Sequence, residues 1–134
     1  MPERPIDIVR RIYDGWGRGD FDTGLELYDP YIVLVLRADF PDSGAYVGAE
    51  AIARYMREDF LGHFEDARIE GEEFIDAGDT VVVRIRQSAI GPGSRAPVEM
   101  GYYNVWTLRG GRIIRIESIK ERGDALAAAG LPST

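Results

Sequence analysis

The half of the chain after residue 67 reads as strand almost without interruption, and glycine-containing turns separate its runs. Arg68 to Asp76, Thr80 to Ile90, Pro97 to Leu108 and Arg112 to Lys120 are rich in β-branched and aromatic residues. Ala77-Gly78-Asp79, Gly91-Pro92-Gly93-Ser94 and Gly110-Gly111 break them. Four consecutive strands with short turns can only form an antiparallel meander, and a meander with one apolar face needs something to cover it.

The cover lies upstream. Residues 5–18 read as a helix, with Ile8, Val9, Ile12 and Trp16 on one stripe and Gly15, Gly17 and Gly19 at its end. Residues 21–29 read as a short second helix stopped by Asp29-Pro30. Tyr31 to Leu36 is a continuous apolar run, expected as a strand covered on both faces. After the turn-rich stretch from Asp39 to Gly44, a third helix is expected over 48–63, with Ile52, Tyr55, Met56 and Phe60 on one stripe. An Ala-rich tail, Asp124 to Leu131, reads as a closing helix. Helices first and strands after them predict an α+β fold, one bent antiparallel or mixed sheet wrapped over three helices of the N-terminal half. No repeat or linker divides the 134 residues, so one domain is expected, with a core over 5–121 and a tail over 122–134.

Composition removes whole classes of function. With no cysteine there is no disulfide scaffold, thiol chemistry or cysteine-held metal, and one histidine rules out a histidine-rich metal site. Glu70, Glu72 and Glu73 lack ligand spacing and read as a solvated strand face, so no metal and no cofactor is expected. A net charge of −7 disfavours nucleic acid and anionic membranes as partners. No apolar run reaches the roughly 18 residues of a membrane span, and no apolar segment follows Met1-Pro2-Glu3-Arg4-Pro5, so a cytoplasmic protein is expected.

The last hairpin admits two registers. A two-residue Gly110-Gly111 loop sets Trp106 opposite Arg115. A three-residue loop with Gly111 in a bulge sets Trp106 opposite Ile114, Asn104 opposite Ile116 and Tyr102 opposite Ser118. The second collects apolar pairs and is preferred. The inner face then carries Met100, Tyr102, Asn104, Trp106, Ile114, Ile116, Ser118 and Lys120. Tyr103, Val105, Ile113 and Ile119 fall on the outer face, too apolar for solvent, so a homodimer through Tyr103, Val105 and Ile119 is expected.

This order resembles the SnoaL-like group of the nuclear-transport-factor-2-like superfamily, which includes the ketosteroid isomerases. The residues that carry the likeness are Ile8 to Tyr13 with Trp16 and Gly19-Asp20-Phe21; Leu27-Tyr28-Asp29-Pro30; Tyr46-Val47-Gly48; Phe74 to Asp79; and Val105 to Ile116. The likeness covers about residues 5–121. It implies a cone-shaped sheet with an apolar pocket at one end, usually in a dimer. It does not imply one activity, since such proteins include isomerases, cyclases, hydrolases and pure binders.

The resemblance also nominates residues. The isomerases place a carboxylate base nine residues before the glycine that opens the third helix, which here is Asp39 before Gly48. Their aspartate on the penultimate strand falls on Asn104, an amide able to donate to an oxyanion. Their helix-1 tyrosine falls on Ile12, with Tyr13 adjacent but about 100° around the helix. Trp16, Tyr28, Phe40, Tyr55, Phe60, Met100, Tyr102, Trp106 and Ile116 are the candidate pocket lining, with Gln87 and Ser118 as polar members. Gln87 would end an inward row of Val81, Val83 and Ile85. Two readings follow: a cofactor-free isomerase or cyclase moving a proton on a small apolar carbonyl compound, with Asp39 as base and Asn104 as oxyanion donor, or a non-catalytic ligand-binding or dimeric scaffold protein.

Overall fold

The structure is a computed structural model, and it describes residues 3–37, 44–60, 65–91, 93 and 96–132, without the side chains of residues 59, 60 and 65. Six strands form one open mixed sheet, β1 (Tyr28–Leu36), β2 (Gly44–Val47), β3 (Glu65–Ala77), β4 (Thr80–Ile90), β5 (Pro97–Arg109) and β6 (Arg112–Ile119), in the order β2-β1-β6-β5-β4-β3. Only β1 and β6 run parallel; every other pair is antiparallel. The helices are α1 (Pro5–Gly17), α2 (Ala49–Arg54), which continues as a π-helical turn over Tyr55–Phe60, and α3 (Arg122–Ala128).

Helix α1 lays Val9, Ile12, Tyr13 and Trp16 onto the inner sheet face, where Val81, Val83, Ile85, Trp106, Ile113 and Ile116 complete one core. Val82, Val105 and Ile119 point to the other face and form a second cluster with Ala125 of α3. Every residue of β4 from Val81 to Val83 is therefore buried, because this part of the sheet is covered on both sides.

Local structure departs from the sequence expectation in four places. Residues 21–29 are not a helix. Asp20 Oδ1 accepts from the Asp22 amide at 3.2 Å, Thr23 Oγ1 donates to the Asp20 carbonyl at 2.8 Å, and Gly24 sits at φ +89, leaving one 3₁₀ turn over Leu25–Leu27. These side chains compete with the helix for backbone groups. Strand β1 then starts at Tyr28 and tolerates Pro30, because its pairing with β6 is interrupted between Tyr28 and Val33.

Second, Gly44–Val47 is an edge strand on β1, hidden in sequence by its length of four residues. Third, the helix expected over 48–63 is α-helical only to Arg54 before its pitch widens.

The fourth departure is the last hairpin. Its loop is the two-residue one: Arg109 faces Arg112, with Gly110 at φ +57 and Gly111 at φ +79, as a type I′ turn requires. A bulge then places Thr107 opposite Arg115, and beyond it Trp106 faces Ile116 and Asn104 faces Ser118. Neither simple register holds along the whole hairpin. The bulge turns Ile113 into the core beside Leu108 and leaves Ile114 half-buried, the reverse of the expectation for these two residues. Beyond the bulge, Ile116 and Ser118 lie on the inner face as the three-residue loop implied.

The outer face also has a cover within the chain. Against α3, Val105 is 3% exposed and Ile119 1%. The Arg122 guanidinium forks onto the Glu73 carboxylate at 2.8 and 3.4 Å and pins the start of α3 across the sheet. A second copy is thus not required to bury these residues. No helix among the described residues is long and apolar enough to cross a membrane.

Candidate functional site

Successive inward residues of β5, Tyr102, Asn104 and Trp106, set a ladder of polar atoms down the inner face. The middle rung is a chain of hydrogen bonds. Ser118 Oγ donates to Asn104 Oδ1 at 2.6 Å, and Asn104 Nδ2 donates to the Tyr13 hydroxyl at 3.0 Å. Trp106 Nε1 donates to the same oxygen, also at 3.0 Å. One rung higher, the Tyr102 hydroxyl donates to Gln87 Oε1 at 2.7 Å. Among the described residues Asn104 and Ser118 are the only polar side chains classed as buried with the core, and each is bonded to the other.

Tyr13 is the centre of this arrangement and was not the residue expected there. Counting along the sequence puts Ile12 at the site, but Ile12 is buried against Gly24, and Tyr13 is the side chain that reaches β5. Its ring packs edge-on against Trp16, Phe74 and Trp106, with centroids 4.9, 5.7 and 5.7 Å away. The aromatic neighbours hold the ring while two N–H groups hold its oxygen.

With both Asn104 and Trp106 donating to it, the Tyr13 oxygen is an acceptor twice over. Its own proton has no acceptor among the described residues. Burial holds the Tyr13 pKa well above the ordinary tyrosine value, opposed by the Asn104 and Trp106 hydrogen bonds and reinforced by Tyr102 and Tyr28. Burial likewise raises Tyr28 and Tyr102. Tyr13 is therefore a donor and not a base at neutral pH. A carbonyl oxygen placed beside it would receive a hydrogen bond strengthened by the two donated to the phenol.

The other nominated residues separate into groups. Trp16, Tyr28, Trp106 and Ile116 are in the inner core, with Met100 packed half-buried on its margin. Tyr55 is buried and stacks on Tyr46, centroids 4.7 Å apart and 16° from parallel, at the β2 side of the fold. Asp39, Phe40 and the side chain of Phe60 lie outside the described residues. The carboxylates of β3 face arginines: Glu72 is 3.9 Å from Arg84, Glu70 3.8 Å from Arg86, and Glu73 holds Arg122. A groove of about 440 Å³ is lined by Glu72, Arg84, Arg86 and Glu99, together with Ile85, Gly101, Tyr102 and Tyr103, and its charged side chains make it polar.

Residues 9–116 match the family model for the SnoaL-like domain, which spans α1 through β6 of this fold. The chain belongs to the SnoaL-like domain family. No curated protein matches it in sequence. Among solved structures, a nuclear-transport-factor-2-like protein of Burkholderia thailandensis E264 superposes with a TM-score of 0.80 at 25% identity, covering 97% of this chain and 99% of that one. A candidate SnoaL-like polyketide cyclase of Jannaschia sp. CCS1 gives 0.72 at 23% identity, covering 97% and 92%. TerC, solved with polyporic acid, gives 0.72 at 22% identity, covering 95% and 96%. The last two similarities show the shared SnoaL-like fold alone.

Proposed function

We propose that this SnoaL-like protein binds a small, mostly apolar carbonyl compound on the inner face of its sheet and moves a proton on it, as an isomerase or cyclase would. The observation that carries this reading is the Tyr13 hydroxyl, oriented by Asn104 and Trp106 with its proton uncommitted. In the reaction a base removes a proton from the carbon next to the carbonyl. The electron pair of that C–H bond forms the enolate, and its oxygen is stabilised by the Tyr13 O–H. The base is assigned to Asp39 from its place after β1. Asn104 acts through Tyr13, by fixing the phenol, and Ser118 fixes Asn104. That a fold neighbour is a candidate polyketide cyclase and another was crystallised with polyporic acid suits a ligand of this kind.

Two measurements test it. Thermal unfolding with 1-tetralone and with anthrone, each against its hydrocarbon partner lacking the oxygen, reads carbonyl-dependent binding. Deuterium uptake in heavy water, at C2 of 1-tetralone and at the C10 methylene of anthrone, whose protons are acidified by the carbonyl through the rings, reads proton transfer. Carbonyl-selective stabilisation and exchange that is lost in Asp39→Asn support the enzyme. Binding with exchange unaffected by Asp39→Asn removes the base assignment. Stabilisation without exchange leaves the non-catalytic binding reading, and equal responses to ketone and hydrocarbon overturn the role of Tyr13.

A further inference from the structure

Trp16 and Trp106 hold the Tyr13 ring from within the core, whereas Phe74, its third aromatic neighbour, is half-buried. Strand β3 carries a bulge between Gly71 and Glu73, so Gly71 pairs with Ile85 and Phe74 with Val83. Ile85 and Val83 both face the inner core. Residues three apart on a regular strand point to opposite faces; the bulge brings Gly71 and Phe74 onto the same one. The Phe74 ring then lies over Gly71. A Cβ at residue 71 would be 2.5 Å from Phe74 Cζ, and 3.1 and 3.3 Å from the two Cε atoms. The ring tip thus fills the room a side chain there would need. From α1, the Arg10 guanidinium lies 5.0 Å from the ring centroid. Tyr13, nearly one turn further along α1, meets the same ring edge-on at 5.7 Å and 71°.

We propose that Gly71 and Phe74 are positioning residues for the Tyr13 phenol. The missing side chain at residue 71 gives the Phe74 ring its seat, and the seated ring sets where the phenol points. This rests on the reading of Tyr13 as the group that stabilises the enolate oxygen, and it names what aims that group. Gly71 is not among the glycines with positive φ, so its backbone accepts alanine and the added methyl acts through contact. The methyl must displace the ring. A ring driven toward α1 presses on Tyr13. A ring driven outward leaves Arg10 and withdraws the edge contact. In both cases the phenol moves, and a shift of about 1 Å at a reacting geometry costs on the order of 100-fold in rate.

Deuterium exchange at C2 of 1-tetralone gives kcat and KM for the wild type, Gly71→Ala, Phe74→Leu and the double variant. Gly71→Ala should lower kcat about 10–100-fold and leave KM within about twofold, since aim and not binding is lost. Phe74→Leu should lower kcat by itself, and it tests the ring without touching residue 71. Leucine has no ring to reach residue 71, so adding Gly71→Ala to Phe74→Leu should change kcat less than about twofold. A glycine needed only by the strand would cost the same in both backgrounds. A second readout needs no ligand. Trp106 Nε1–H donates to the Tyr13 oxygen at 3.0 Å, so its indole resonance reports where the phenol lies. The chain has two tryptophans, and Trp16→Phe assigns the two resonances. Gly71→Ala should move the Trp106 resonance upfield in the wild-type background and leave it in place in the Phe74→Leu background.

If Phe74→Leu leaves kcat unchanged, if Gly71→Ala costs the same in both backgrounds, or if the Trp106 resonance stays in place, the inference fails while the role of Tyr13 stands. If the resonance moves as expected but the wild type exchanges no ketone proton, the proton-transfer reading fails and takes the positioning role with it.

Discussion

Replacing Tyr13 by phenylalanine removes one oxygen, keeps the ring in its aromatic nest, and leaves Asn104 Nδ2 and Trp106 Nε1 as buried donors without an acceptor. Stranding a buried donor costs about 1–3 kcal/mol, so two of them should cost roughly 2–4 kcal/mol after local relaxation. For 134 residues unfolding at about 2.1 cal/mol/K per residue, each kcal/mol lowers Tm by about 3.6 °C, so the expected drop is about 7–14 °C. Urea unfolding followed by circular dichroism measures the change, with an unaltered m-value showing that the native state stays compact.

The sharper measurement is a double-mutant cycle with Asn104→Leu, which removes one of the stranded donors and the acceptor of Ser118. The double variant should be more stable than the sum of the single losses predicts, by about 0.5–3 kcal/mol. A Tyr13→Phe loss below about 0.5 kcal/mol, no more than an ordinary surface change, would refute the claim that this oxygen serves two buried donors. Strict additivity in the cycle would refute the coupling between Tyr13 and Asn104.

Gly24→Ala should cost more than Gly78→Ala. Both glycines have positive φ, +89 and +77, but a Cβ at Gly24 would lie 2.6 Å from the Ile12 side chain whereas Gly78 faces open space. Chemical denaturation should give about 1–2 kcal/mol for Gly78→Ala, the left-handed backbone penalty, and a clearly larger loss for Gly24→Ala. Ending the chain after Lys120 should uncover Val82, Val105 and Ile119 and drive self-association, seen as a concentration-dependent shift in sedimentation, while the full chain shows less of it.

Docking of α3 should weaken in acid. The Arg122 hydrogen bond lowers the Glu73 pKa below 4.5, so the contact is fully formed above that value and is lost as pH falls through the lowered one. Amide protection over 122–129, taken relative to the intrinsic exchange rate at each pH, should fall there and should be already low, and less sensitive to pH, in Glu73→Gln. Tyr102→Phe should lower stability by less than Tyr13→Phe, by about 1 kcal/mol for the hydrogen bond donated to the half-buried Gln87.

Much of the architecture was written in local pattern. The apolar stripe of α1, the glycines between the later strands and the alternation along β5 depend only on near neighbours, and these placed β4, β5 and β6 within a residue or so. The inward positions of Asn104, Ser118 and Trp106 follow from the same alternation once the hairpin is drawn. What pattern could not supply were features decided by contact over distance. The bulge at Ile114, between Ile113 and Arg115, exchanges Ile113 for Ile114 in the core, because the type I′ turn fixes one register and the packing beyond it demands another. The cover of Val105 and Ile119 comes from a helix that chain order leaves free to lie anywhere.

The site divides in the same way. The residue types were visible: a polar asparagine and serine in apolar strands, a tyrosine and a tryptophan in an apolar helix. Which phenol meets Asn104 was not. One position of helix rotation separates Ile12 from Tyr13, and sequence counting cannot set how α1 rolls on the sheet. That roll is set by packing of Trp16, Phe74 and Trp106 around the tyrosine ring. The sequence alone thus determined the fold and the stock of hydrogen-bonding groups. Only tertiary packing decided which of them pair and which keep a proton to offer, since a hydrogen bond depends on tenths of an ångström that no spacing along the chain encodes.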